Sequence, residues 1–185
     1  GYLLWRNAGK GEDFRYQSMR RRQGPNFPLR SLITVFALQG VLAWVVSLPV
    51  QLGSVATSPD IGVLAIIGAT IWLVGFCFEA IGDYQLARFK ADSASAGQVM
   101  DRGLWRYTRH PNYFGDFCVW WGLFLIALEA AGGWRSIIGP VVMSILLIRV
   151  SGVPMLERSL NKRRPGYAQY VATTSAFFPR PPRQL

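Results

Sequence analysis

Four stretches of this chain carry almost no charge over the thickness of a bilayer, and basic segments separate them. Ser31 to Pro59 holds no ionisable residue, and neither does Ile61 to Phe78. Phe117 to Leu128 continues apolar to Gly133 across a single Glu129, and Ser136 to Leu156 is interrupted only by Arg149. A helix needs about 20 residues to cross the hydrocarbon core. The apolar residues come in blocks rather than at the period of a half-buried helix or strand. The fold class that follows is all-α, an integral-membrane helical bundle. Its four membrane helices are expected near residues 31–52, 61–86, 114–131 and 136–158. Pro49 should kink or end the first of them, since proline lacks the N–H and crowds the preceding turn.

The formal net charge of +10 is divided among loops. Arg6, Lys10, Arg15, Arg20, Arg21, Arg22 and Arg30 precede the first block, whereas Ser54 to Asp60 holds no Lys or Arg. Arg88, Lys90, Arg102, Arg106 and Arg109 lie between the second and third blocks. Only Arg135 follows Ala130 before the fourth block, and Arg158, Lys162, Arg163, Arg164, Arg180 and Arg183 come after it. Basic loops stay in the cytoplasm, so the N-terminal segment, the central loop and the tail are expected there in a multi-pass protein. A nucleic-acid partner would call for one basic face on a folded domain, and this charge is split by membrane blocks. Anionic headgroups of the bilayer and an anionic cofactor account for it more simply.

One segment, Gly103 to Asp116 (GLWRYTRHPNYFGD), joins a basic loop to a membrane helix. Arg109, the single histidine His110, Asn112, Tyr113 and Asp116 crowd that boundary. Arginine offers a planar fork suited to phosphate, and Asn and Asp offer groups suited to ribose or base edges. Anchoring to lipid headgroups would explain the arginines but not Asn112 and Asp116 on the helix that follows. Polar groups set against hydrocarbon are costly unless they are used. Glu79 and Asp83 stand four apart and share a helix face, where like charges repel unless Arg88, Lys90, Arg109 or a ligand compensates. Gln39 suits an interhelical hydrogen bond. Arg149 and Glu157, two turns apart, suit a buried pair or the wall of a polar cavity. Tyr167 and Tyr170 could stack on a flat ring, although a headgroup anchor is the more common use. Phe177-Phe178-Pro179 suits a tail laid on the interface.

Cys77 and Cys118 read as buried apolar thiols, and with one histidine no zinc ligand set is visible. No dinucleotide-binding glycine fingerprint, P-loop or nucleophile elbow occurs, so any nucleotide must be held by helices and loops. Gly1-Tyr2-Leu3-Leu4-Trp5 reads like the end of an apolar helix. Residues 1–185 are accordingly expected to be one membrane domain, the C-terminal portion of a longer chain with further membrane helices upstream.

Gly103 to Gly122 (GLWRYTRHPNYFGDFCVWWG) resembles the C-terminal motif of the steroid 5-alpha reductase superfamily, in particular its bacterial branch of small membrane proteins. Supporting pieces are Gly11 to Tyr16, Phe76 to Lys90, and Ser151 to Glu157. The superfamily includes the sterol C14 reductases and the isoprenylcysteine carboxyl methyltransferase, and the RHPNYFGD element does not separate them. The resemblance implies NADPH as cofactor, held by Glu79, Asp83, Arg88, Arg106, Arg109, His110, Asn112, Tyr113, Asp116, Glu157 and Tyr170. The animal steroid reductases have asparagine where Glu79 aligns. It also implies hydride transfer to the activated C=C bond of an apolar, lipid- or steroid-like enone, in a bacterial inner membrane. The family's substrate-polarising Tyr and Glu lie on helices before this region, so no catalytic residue is assigned here. Two alternatives stay open: a membrane methyltransferase using S-adenosylmethionine, and a non-enzymatic lipid- or sterol-binding protein.

Overall fold

The computed structural model describes residues 9, 11, 14–55, 61–163 and 166–183. The expected helix end at Gly1–Trp5, the Glu12-Asp13 part of the motif, residues 56–60 of the arginine-free loop and Pro165 lie outside them. The described residues are helices and turns without a strand, an all-α membrane bundle. The chain divides into two compact units, Gly1–Trp44 and Val45–Leu185.

The first unit contributes most of α1 (Tyr16–Val46), which begins well before the expected Ser31 because the arginine-rich segment is itself helical. Within it the Ser31 hydroxyl donates to the Pro28 carbonyl at 2.7 Å, and a π-turn follows over Leu32–Ala37. Gln39, expected to bond between helices, is exposed.

The second unit holds the remaining elements. A turn at Ser47 ends α1, and α2 (Leu48–Ser54) restarts with Pro49 in its first turn, as the proline requires. Next come α3 (Val63–Ala91) and α4 (Pro111–Ala127). The fourth apolar run, Gly133–Glu157, is built from a 3₁₀ turn, α5 (Ile138–Ile145), a π-turn at Leu146–Val150 and the start of α6 (Val153–Arg163). A final short helix, α7 (Tyr167–Thr173), follows Gly166, whose φ of 82° is a left-handed conformation that glycine adopts without strain.

Three helical runs, Tyr16–Val46, Val63–Ala91 and Gly133–Glu157, are long and apolar enough to cross a membrane. The helix of the third expected block, α4, is shorter than these. Pro111 fixes the start of α4, and the turn through Gly132 and Gly133 closes it off, leaving 17 residues. That is about 25 Å of helix, at the short limit of a span.

α3 and α4 pack against each other through glycine. Gly68, Gly75 and Gly82 recur every seven residues on α3 and are buried. A Cβ at Gly75 would lie 2.6 Å from the Gly115 carbonyl oxygen, and one at Gly122 would lie 2.6 Å from that of Gly68. The two backbones are therefore in contact, as small residues permit in membrane helices. At the far end Glu129 accepts from the Ala65 N–H at 3.2 Å, placing a carboxylate on the N-terminus of α3, where the helix dipole favours it. α4 is tied to the next run by the Trp121 indole N–H, which donates to the Ser144 hydroxyl at 3.1 Å.

Candidate functional site

The loop Gly103–His110 is held from two sides. The Trp105 indole donates to the Gly82 carbonyl at 3.0 Å, and the Leu104 N–H donates to Gln85 Oε1 at 3.0 Å, which fastens the loop to the last turns of α3. The tail then closes over it. The Arg109 N–H donates to the Ser175 carbonyl, the Thr108 hydroxyl to the Phe177 carbonyl, and the Arg180 N–H to the Tyr107 carbonyl. Thr108, Arg109 and His110 are all buried as a result. None of these partners is near the loop in sequence.

Arg109 is the centre of this arrangement, and its fork faces inward. Its Nε donates to Glu157 Oε1 at 2.8 Å, and its Nη2 lies 2.7 Å from the same oxygen. Its Nη1 donates to the carbonyls of Val171 and Thr174 at 3.2 and 2.5 Å. The side chain expected to grip a phosphate thus binds α6 and the tail. The expected pairing of Arg149 with Glu157 is corrected for the same reason: Glu157 serves Arg109, and Arg149 is exposed within the π-turn.

His110 Nε2 lies 3.3 Å from Glu157 Oε1, and its ring stacks on Tyr113 with centroids 5.5 Å apart. Burial pushes His110 below its ordinary range, against the pull of Glu157. The imidazole is therefore neutral at physiological pH. To hydrogen-bond the carboxylate it must carry its proton on Nε2.

Beside these groups lies a chamber of about 170 Å³. Its walls include Leu86 and Phe89 of α3, Val99 and Met100 of the loop, Trp105, His110, Leu156 and Leu160 of α6, and Tyr167 and Tyr170 of α7. Both tyrosines are buried, 3% and 7% exposed, so neither is the headgroup anchor that their spacing suggested. The Tyr170 hydroxyl donates to the Trp105 carbonyl, whereas the Tyr167 hydroxyl is buried beside Arg109 and Glu157. Phe177 is also internal, packed edge-on to Phe114 and Phe117 rather than laid on the interface.

A wider groove of about 590 Å³ adjoins the chamber and shares Gln98, Val99 and Tyr170 with it. Arg102, Arg106 and Arg183 line the groove together with one carboxylate, Asp101. Arg183 is placed there by its own backbone, which donates to the Thr173 carbonyl at 2.9 Å. Of these three only Arg106 is among the expected site residues. Nothing in the local sequence ties Arg183 to a loop some eighty residues earlier.

The expected site therefore falls into two groups. Arg109, His110, Tyr170 and Arg106 line the chamber or the groove, and Glu157 is paired with Arg109. Glu79, Asp83, Asn112 and Asp116 lie along α3 and α4 and line neither. There Asn112 Nδ2 donates to Asp83 Oδ1 at 3.0 Å. Arg88, exposed on the last turn of α3, joins neither group and complements the helix dipole. Among the described residues no group of three or more His, Cys, Asp or Glu is arranged to hold a metal ion.

The chain matches the family described as protein of unknown function DUF1295 over residues 1–174, and belongs to it. No curated protein and no solved structure matches the chain.

Proposed function

We propose that this DUF1295 chain is the cofactor-binding part of an integral-membrane reductase that takes NADPH and acts on the activated C=C bond of an apolar, lipid- or steroid-like enone. The observation that carries this reading is the two-part cavity. A small chamber with aromatic walls opens onto a groove lined by three arginines, with Tyr170 common to both. A dinucleotide has the same two parts, flat rings and a charged diphosphate with a further phosphate. S-adenosylmethionine carries no phosphate, so the arginine-lined groove favours the reductase over the methyltransferase.

In this reading Arg102, Arg106 and Arg183 neutralise phosphate, which the guanidinium geometry suits. Arg109 acts as a positioning residue: it holds Glu157 and α7 so that Tyr170 and His110 face the chamber. When bound, the nicotinamide supplies the hydride. The resemblance of the GLWRYTRHPNYFGD segment to the steroid 5-alpha reductase superfamily supports the same chemistry. The residue that polarises the enone carbonyl is assigned to no side chain of this chain.

Thermal shift of the purified protein in detergent tests the cofactor. NADPH is expected to raise the melting temperature and S-adenosylmethionine to leave it unchanged; the reverse result would defeat the reading. The double variant Arg102→Ala/Arg106→Ala should weaken NADPH at least tenfold, since each charge-assisted bond contributes about 1.5–3 kcal/mol. Arg135→Ala, in the turn before α5, should leave affinity unchanged.

The reading also places the cavity in the bacterial cytoplasm, on the side that the basic loops select. A membrane-impermeant maleimide added to whole cells should label Trp134→Cys, in the exposed turn between α4 and α5, and spare Ser93→Cys, just beyond α3. Labelling of the second alone would reverse the orientation.

A further inference from the structure

The arginine-lined groove has two walls, the loop over residues 98–106 and the face of α7 that carries Gly166, Gln169, Tyr170 and Thr173. Tyr170 donates to the Trp105 carbonyl and so ties the walls together where the groove meets the chamber. One helical turn further on, the groove is lined by Thr173, Thr174, Pro182 and Arg183, none of which lines the chamber. A helix C-terminus ordinarily repels an anion, because its last carbonyls point outward. Here those carbonyls are occupied. Arg109 Nη1 takes the carbonyls of Val171 and Thr174, and the Arg183 N–H takes that of Thr173. The Arg183 guanidinium is exposed and, unlike that of Arg109, pairs with no carboxylate among the described residues. Asp101, the one carboxylate of the groove, lies toward the other end: burial pushes the Tyr170 phenol up, and Asp101 is close enough to add to the effect.

We propose that Arg183 is the residue that selects NADPH over NADH, its guanidinium receiving the 2′-phosphate of the adenosine ribose. This inference rests on the NADPH reading above, with the nicotinamide in the chamber. A ring seated there leaves the diphosphate, common to both cofactors, for Arg102 and Arg106, and the adenosine for the far end of the groove. A phosphate monoester carries a charge of about −1.5 to −2 at neutral pH, and a guanidinium can meet two of its oxygens at once. A site that prefers the unphosphorylated ribose instead presents a carboxylate to its 2′-hydroxyl. The residues lining the far end include none.

The test is calorimetry of the purified protein in detergent with NADPH and with NADH. Wild type should bind NADPH about ten- to a hundredfold more tightly, the effect of one charge-assisted pair. Arg183→Ala should lose that preference by weakening NADPH alone. Its melting temperature should stay near that of wild type, because the backbone N–H that holds the tail is retained. Should the alanine variant melt early, Arg183→Gln, of similar length, is read by the same ratio. Arg183→Lys should keep part of the preference, as a charge without the fork. Arg102→Ala should weaken both cofactors by a similar factor. A wild type without preference, an Arg183→Ala protein that keeps the preference, or one that weakens both cofactors alike would overturn the assignment and leave the NADPH reading standing. A wild-type protein that binds neither cofactor would overturn both.

Discussion

Replacing Arg109 with alanine is expected to unfold the polar end of the bundle rather than only to weaken a ligand. The guanidinium is 7% exposed and its Nε, Nη1 and Nη2 are all engaged within the protein. Removing it leaves the Glu157 carboxylate half-buried without its cation, and two tail carbonyls without a donor. Breaking a buried pair from one side costs about 3–5 kcal/mol, a large share of a typical domain's stability. The melting temperature should fall sharply, and proteolysis should reach the tail beyond Gly166 first. Arg109→Lys should recover only part of the loss, since an ammonium can meet Glu157 but cannot also span the carbonyls of Val171 and Thr174. A double-mutant cycle with Glu157→Ala separates the pair from the rest, because the two losses should be clearly less than additive. If Arg109→Ala melted as the wild type does and lost only NADPH affinity, the inward-facing fork would be wrong and the side chain would be a phosphate ligand.

That contrast shows which parts of the molecule are legible in its residues and which are not. The apolar blocks identify membrane helices because the bilayer acts on every residue of a span, and composition alone records it. Pro49 marks a helix break for an equally local reason. The boundary segment around His110 is legible as a site because its polar groups are expensive there. The direction in which Arg109 points is not. It is decided by Glu157 and by carbonyls at Val171 and Thr174, more than forty positions away in the chain. Tyr170 is likewise fixed by the carbonyl of Trp105, 65 positions away in the chain. The groove has the same character, since Arg183 reaches it only after the tail has folded back past Thr173. Long-range hydrogen bonds to backbone leave no trace in local composition.

The seam between α3 and α4 is legible as a seven-residue spacing of Gly68, Gly75 and Gly82, but its meaning needs the partner glycines Gly115 and Gly122. Lipid tails are as apolar as the side chains, so no hydrophobic force drives two such helices together; close packing must do it. Gly75→Leu is expected to have the second large effect. Its Cβ alone would lie 2.6 Å from the Gly115 carbonyl oxygen and 2.8 Å from Cys118 Cβ, and the nearest obstacle is backbone that cannot rotate away. The helices would have to move apart along their length. Overpacking a tight site costs about 1–3 kcal/mol, and backbone contact puts this substitution at the upper end or beyond. Ala80→Leu, on the exposed side of the same helix, supplies the control, adding the same bulk towards lipid with little change in melting temperature. The consequence should extend to the cavity. The Gly82 carbonyl holds Trp105, and Asp83 holds Asn112, so separating α3 from α4 displaces the loop that carries Arg106 and His110. Loss of NADPH-induced stabilisation in Gly75→Leu but not in Ala80→Leu is the expected result. Equal melting of the two variants would show that the backbones are not in contact.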